Sequence, residues 1–406
     1  MSGARLPLDD VKILDFMWVL AGPSATRVLA DHGALVVRVE STRRIDTART
    51  LAPFHDGVPG AERSALFHNT NASKRMLTLD PTCAAGRAVV LDLVRWADVV
   101  AESFSPGVMQ AWQLDYPVLR TVNPDVIMLS TCLMGQTGPW ASFAGYGNLA
   151  AAISGFSNLG GWPDRPPAGP FSAYTDYVSP RFVAVAILAA LEYRRRTGRG
   201  QYIDLSQAEA SLHFLGPALL DYEVNARLPH RVGNDDPDFV PHGVYPTTGR
   251  DCWVAIAVDG DEAFARLCDV MERPDLAVDS RFATLAARRT HREALDAEIG
   301  SWTRDRAAGP IEEALQARGV PASAVQDSAA LCADAQLAHR GHVLSLPHAD
   351  LGTTAIEGSR FRLSRTPARL PESAPTYGLD TAWVLGELLG YDEARITELV
   401  ASGALD

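Results

Sequence analysis

Cysteine is scarce in this chain of 406 residues: five, at positions Cys83, Cys132, Cys252, Cys268 and Cys332, scattered, odd in number and never in a Cys-x-x-Cys pair. That excludes a disulfide framework and a thiolate zinc site, and it suits a reducing compartment. No uncharged run approaches the ~20 residues a helix needs to span a bilayer. The opening stretch, Met1 to Asp10, lacks the apolar core of a secretion signal. No internal repeat or low-complexity tract is present. Positive charge is also in deficit: the formal net charge is −12, which disfavours nucleic acid as a partner. An anionic ligand would then need a local basic patch. These absences leave a soluble, cytoplasmic, globular protein, and the length points to about two domains.

What is present reads as α/β. Hydrophobic residues make up 47% and charged residues 21%, ordinary values for a globular chain. Val11 to Phe16 reads as a buried strand, Pro23 to His32 as a helix closed by Gly33, and Leu35 to Glu40 as a second strand. Such a βαβ unit places a ligand at the strand C-terminal ends. Its first turn is Trp18-Val19-Leu20-Ala21-Gly22-Pro23, without the Gly-x-Gly-x-x-Gly that lets a backbone approach a pyrophosphate. A nicotinamide-dependent oxidoreductase therefore loses its main support, and Glu40 alone is a weak imitation of a ribose-binding acid. Ala84 to Trp96 reads as a further helix, with strands at Asp98 to Glu102 and Asp125 to Cys132.

The chain is organised around the segment from Phe171 to Phe214. Ser179 is a ready N-cap and Pro180 suits a first helical position, so a helix is predicted from Arg181 to Arg196, apolar on nearly every side and buried. Arg194, Arg195 and Arg196 place positive charge at its C-terminal end, and Gly198 and Gly200 stop it. Tyr202 to Leu205 reads as a strand, and Ser206 with Glu209 as a capping box for the next helix, which runs to about Asn225. Asp176 lies ahead of the predicted cap. Pattern alone makes it an ordinary loop aspartate. Arg231 to Gly249 reads as a linker or lid, Trp253 to Val258 as a strand, and the Arg- and Ala-rich segments to Arg318 as helices of a smaller domain. His339 and His342 share a helix face, but no third ligand joins them, so no metal site is expected.

This central segment resembles the signature of the class III CoA-transferases, in which an aspartate precedes an Ala-rich helix ending in Arg-x-x-Thr-Gly-x-Gly-Gln. Asp176 falls on that aspartate, and the resemblance makes it the catalytic nucleophile. The likeness extends along the chain. Val19, Leu20 and Ala21 match the turn that lies along CoA near the reacting thioester. Lys74 and Arg75 sit in a match to the family's Asn-x-x-Lys-Arg-x-x-x-Leu-Asp, and with Arg43, Arg44 and Arg49 they are candidates for the CoA phosphates. Glu102-Ser103-Phe104-Ser105-Pro106-Gly107 resembles Glu-Asn-Phe-x-Pro-Gly, with Phe104 as the adenine face and Ser103 in place of the usual asparagine. Ala111 stands where some members carry a phosphate-binding arginine. Gly135 to Pro139, Gly319 to Pro321, Ala374 to Gly378 and Leu385 to Gly390 match further family motifs in order.

The resemblance implies a Rossmann-like large domain built from both chain ends (residues 1–225 and 330–406) and a smaller α/β domain at 226–329, in an interlocked homodimer. It implies CoA transfer from an acyl-CoA donor, such as succinyl-CoA, to a carboxylic acid acceptor. The intermediates would be an acyl-aspartyl anhydride and an aspartyl-CoA thioester, with no cofactor beyond CoA as substrate and no metal. The family's glycine-run flap has no equal in the Arg231 to Gly249 segment, which offers Gly233 and Gly243 with two prolines between. Two alternatives on the same fold are an α-methylacyl-CoA racemase and a non-catalytic CoA-binding subunit. Racemases carry a histidine where Tyr146 stands, and a phenol ionising near pH ~10 is a poor base at neutrality. Arg181 and the arginines after the second strand are candidate partners for a second substrate carboxylate.

Overall fold

Six parallel strands carry the larger part of the molecule in the computed structural model, which describes residues 5–369 and 371–405. They are β1 (Lys12–Phe16), β2 (Leu35–Glu40), β3 (Arg75–Thr78), β4 (Val99–Glu102), β5 (Ile127–Cys132) and β6 (Tyr202–Ser206), in the spatial order β3-β2-β1-β4-β5-β6. Order reverses between β1 and β4, where Ile13 pairs with Val99 and Phe16 with Glu102. In such sheets the crevice beyond the strand ends at the reversal is the natural ligand site.

The strands are apolar at successive positions because both faces are covered. On one face Leu14, Phe16, Val37, Val100 and Met128 pack with Val89, Val90, Leu93 and Val94 of the helix Ala84–Trp96 and with Val384, Leu385 and Leu399 from the C-terminal region. On the other, Ile13, Val36, Val99, Ala101, Ile127 and Leu129 meet Ala25 and Leu29 of the helix Ala21–Asp31 and Val183, Ile187 and Ala190 of the helix Tyr174–Thr197. The edge strand β3 is covered by the returning chain. Met76 N–H donates to Asp380 at 2.8 Å and Thr78 N–H to Thr381 Oγ1 at 3.1 Å, which closes an edge otherwise open to pairing.

The chain divides into two compact units. The first holds the six-stranded sheet and comprises the chain up to Phe156, Gly169–Arg227 and Gln336 onward. The second, Ser157–Ala168 and Leu228–Ala335, has a three-stranded antiparallel sheet (His242–Pro246, Trp253–Ala257, Ala322–Ala324). Its core gathers Phe264, Leu267, Phe282, Ile299 and Leu315. The segment predicted as a linker or lid thus contributes the strand His242–Pro246. No helix among the described residues is long and apolar enough to cross a membrane.

The central helix departs from expectation twice. It begins at Tyr174, with Ala173 at its N-cap, so Asp176 lies in its first turn and Pro180 inside it. Ser179, predicted to cap, is buried with its hydroxyl unpartnered among the described residues. Pro180 supplies no N–H to the carbonyl four residues back, that of Asp176. The helix tolerates this because Val178, Ser179, Pro180 and Val183 are all buried against their surroundings. The second departure concerns burial. One stripe is enclosed, but Tyr177, Val185, Leu188 and Tyr193 are open on the other, Val185 at 65% exposure.

Candidate active site

A cleft of about 600 Å³ opens beyond the C-terminal ends of the strands, within the first unit. Every strand of the sheet leads into it: Trp18 to Gly22 after β1, Ser41, Arg43, Arg44 and Thr47 after β2, Leu79 to Thr82 after β3, Ser103 to Pro106 after β4, Leu133 after β5 and Gln207 after β6. Asp176 and Tyr146 complete its wall. Of the residues singled out in the sequence, Val19, Leu20, Ala21, Arg43, Ser103, Phe104, Tyr146 and Asp176 are therefore brought together.

The turn after β1 is held in place by a buried ionic frame. Val19 has φ +66°, a conformation costly for a β-branched residue. Its N–H donates to both Asp46 carboxylate oxygens, at 2.9 and 3.2 Å. Asp46 in turn accepts from Arg38 Nη2 at 2.5 Å, and Arg38 also donates to the Met17 carbonyl. From the other side Ser103 Oγ accepts the Trp18 N–H at 2.8 Å, so this hydroxyl serves the turn although it lines the cleft. Arg38 and Asp46 are wholly buried, and sequence reasoning passed over both. Glu40 is committed as well, accepting from Asp46 N–H at 2.8 Å and Arg49 Nε at 3.0 Å.

One end of the cleft is aromatic and basic. Phe104 packs edge-on against Trp18 and Trp112, with centroids 5.5 and 5.0 Å apart, and Arg44 lies over Trp18 at 5.4 Å. Arg43 is largely solvent-accessible and pairs with Asp80 at 3.1 Å. The two tryptophans were not anticipated. Charge and flat apolar surface together suit a nucleotide.

Lys74 and Arg75 do not join this site, contrary to expectation. Lys74, one of only two lysines in the chain, is buried and spends its ammonium on Asp15 Oδ2, the Pro23 carbonyl and Asn71 Oδ1, each at 3.0 Å. Burial lowers its pKa to about 8, against the pull of Asp15. Asp15 also takes the Met17 N–H and the Thr26 hydroxyl, so this cluster braces the strand–helix junction beneath the cleft. The surrounding motif is a folding element, which its charge alone could not reveal. Arg75 pairs with Asp380 and Glu372 beside a separate small cavity. Arg49 is buried between Glu40 and Glu62. Arg181 lies exposed and bonds the Tyr177 carbonyl. Among the described residues no cluster of three metal-ligating side chains occurs, and His342 faces Glu357 at 3.5 Å.

Asp176 is 7% exposed, and burial raises its pKa to about 6, while the Gly147 backbone N–H beside it draws the value down. At pH 7 roughly nine-tenths of it is ionised. It is thus a poorly solvated carboxylate at the wall of a cleft. Tyr146 lies at the same wall, 66% exposed. Gly147 went unremarked in the sequence, although a glycine opening an Ala-rich helix is a poor helix former that invites explanation.

Comparison with known proteins places this geometry in context. A family model described as CoA-transferase family III matches residues 8–381. A succinyl-CoA–D-citramalate CoA-transferase of Chloroflexus aurantiacus is 32% identical over 97% of each chain. A succinate–glutarate CoA-transferase of Agrobacterium fabrum is 35% identical over 96% of this chain and 97% of that one. Among solved structures, a CAIB/BAIF family protein from Brucella suis superposes with a TM-score of 0.87 at 32% identity, covering 95% of this chain and all of the other.

Proposed function

Since the chain belongs to CoA-transferase family III, we propose that Asp176 carries its acyl groups covalently and that succinyl-CoA is a donor. The observation that bears most weight is the enclosed Asp176 carboxylate at the wall of a cleft whose far wall is aromatic and basic. CoA lies with its nucleotide toward Trp18, Phe104, Trp112, Arg43 and Arg44, and its thioester reaches Asp176. The acceptor is a carboxylic acid, and the dicarboxylate relatives favour a small one.

The steps balance without an outside reactant. An Asp176 oxygen attacks the thioester carbonyl, the C–S bond breaks, and CoA leaves as thiolate with a mixed anhydride behind it. The thiolate attacks the aspartyl carbonyl, the anhydride C–O bond breaks, and the donor carboxylate departs from an aspartyl thioester. The acceptor carboxylate then attacks that thioester, expelling thiolate, and thiolate attack on the new acyl carbonyl returns Asp176. No net proton moves, so a carboxylate already ionised at pH 7 suffices. The reaction calls for no metal or redox cofactor. Backbone N–H groups at Leu20 and Ala21, where no side chain caps the helix, supply oxyanion donors. A racemase would need a second proton carrier opposite Asp176, and Tyr146 is ill matched to that task.

We also assign the working enzyme as a homodimer in the cytoplasm. The open apolar stripe on the Asp176 helix supports the first, and five free thiols suit the second.

The test is intact mass after incubation with succinyl-CoA and hydroxylamine. An activated aspartyl group becomes a hydroxamate, expected at Asp176 and missing in Asp176→Ala. No adduct, combined with solvent deuterium entering the acyl-CoA α-carbon, would overturn the transferase mechanism in favour of racemisation.

A further inference from the structure

Gly147 opens the helix Gly147–Ile153, immediately after Tyr146. It is buried, and its φ lies outside the left-handed region, so no backbone conformation demands glycine here. Space does. A Cβ at position 147 would stand 2.8 Å from both Cγ and Oδ1 of Asp176 and 2.8 Å from Cβ of Ala173. Ordinary contacts between such atoms run about 3.5–4.0 Å. The carboxylate is thus seated in the volume that a side chain would occupy. A second contact fixes the pairing: Thr175 Oγ1 donates to the Gly147 carbonyl at 2.9 Å. The start of the Asp176 helix and residue 147 are therefore locked to each other through adjacent side chains, Thr175 and Asp176.

We propose that Gly147 is the positioning residue of the transfer reaction, its missing side chain being the seat in which the Asp176 carboxylate is held for attack on the thioester. This rests on Asp176 being the nucleophile. Any side chain at 147 drives the carboxylate back by about 1 Å, and a misplacement of that size costs roughly 10²-fold in rate. Retreat from the Gly147 N–H also removes the neighbour that draws its pKa down, so the acid limb of the rate profile moves to higher pH. Binding of the CoA nucleotide, at the aromatic wall, is untouched.

Gly147→Ala is the first variant, with Gly147→Ala/Ala173→Gly as the second. The double variant relieves the Ala173 contact and keeps the clash with Asp176, and retained CoA affinity separates a loss of positioning from a loss of folding. Three quantities are read: hydroxylamine trapping at Asp176 with succinyl-CoA, the pH dependence of kcat/KM, and free CoA affinity by calorimetry. Expected are trapping and kcat reduced about 10²-fold in both variants, an acid limb displaced upward, and CoA affinity within about twofold of wild type. Wild-type trapping and an unmoved acid limb in either variant would overturn the inference, even while Asp176 labels normally in the wild type. Failure of the wild type itself to label at Asp176 would overturn the covalent mechanism and this inference together.

Discussion

As the proposed nucleophile, Asp176 combines two demands that oppose each other. A carboxylate stripped of water attacks well, but stripping water disfavours its charge, and its pKa rises from 3.8 to about 6. The sign for stability follows from proton counting. Between pH 4 and 6 the folded chain keeps a proton that the unfolded chain has released, so stability falls as pH rises through this window and stays lower above it. Asp176→Asn removes the titration. The variant is expected to be inactive yet more stable than wild type at pH 7 by about 3 kcal/mol, and no more stable at pH 4. Urea midpoints at the two pH values measure this, and equal stability at pH 7 would refute it. In the sequence, Asp176 was legible only through its motif. Its glycine neighbour is residue 147, nearly thirty positions upstream, and no local pattern connects the two.

At the scale of elements, the sequence disclosed the strands and hid their supports. The apolar runs of β1, β2 and β5 and the helix Ala84–Trp96 could be read from period and punctuation alone. The start of the Asp176 helix could not, because Ser179 and Pro180 carry the local signature of a helix beginning while burial lets the helix continue through them. Charge was equally ambiguous. Lys74 and Arg43 look alike in sequence, yet one is enclosed against Asp15 and the other faces the cleft. The two should therefore fail differently. Lys74→Ala leaves Asp15 buried without its partner, an expected cost of about 3–5 kcal/mol in chemical unfolding. Arg43→Ala should leave unfolding within about 1 kcal/mol of wild type, since its pairing is at the surface, and weaken CoA binding in calorimetry. A Lys74 variant of full stability, with reduced CoA affinity, would return Lys74 to the phosphate site.

For the whole molecule, the surface is where prediction and structure diverge most. The Asp176 helix reads as buried on nearly every side, and the single chain covers only one stripe of it. Periodicity reports which faces shun water and cannot say whether the same chain or another copy covers them. Val185 and Leu188 on this helix, with Leu219, Leu220, Tyr222 and Val224 on Gly216–Asn225, remain open. Val185→Glu/Leu188→Glu should shift the sedimentation of the wild type from a dimer to a monomer with its far-UV dichroism retained. A wild type that sediments as an active monomer would remove the dimer from the account.

The enclosure of Lys74 has a consequence of another kind. Succinyl-CoA, the proposed donor, is an acylating agent, and exposed side-chain amines are among its casualties. This chain has two lysines. One is sealed inside with its nitrogen shared among three acceptors, and only Lys12 faces solvent. Its other permanently cationic side chains are arginines, which stay protonated and do not act as nucleophiles at neutral pH. Apart from the exposed thiols of Cys252 and Cys332, the described surface thus presents an acyl-CoA with a single side-chain amine to modify.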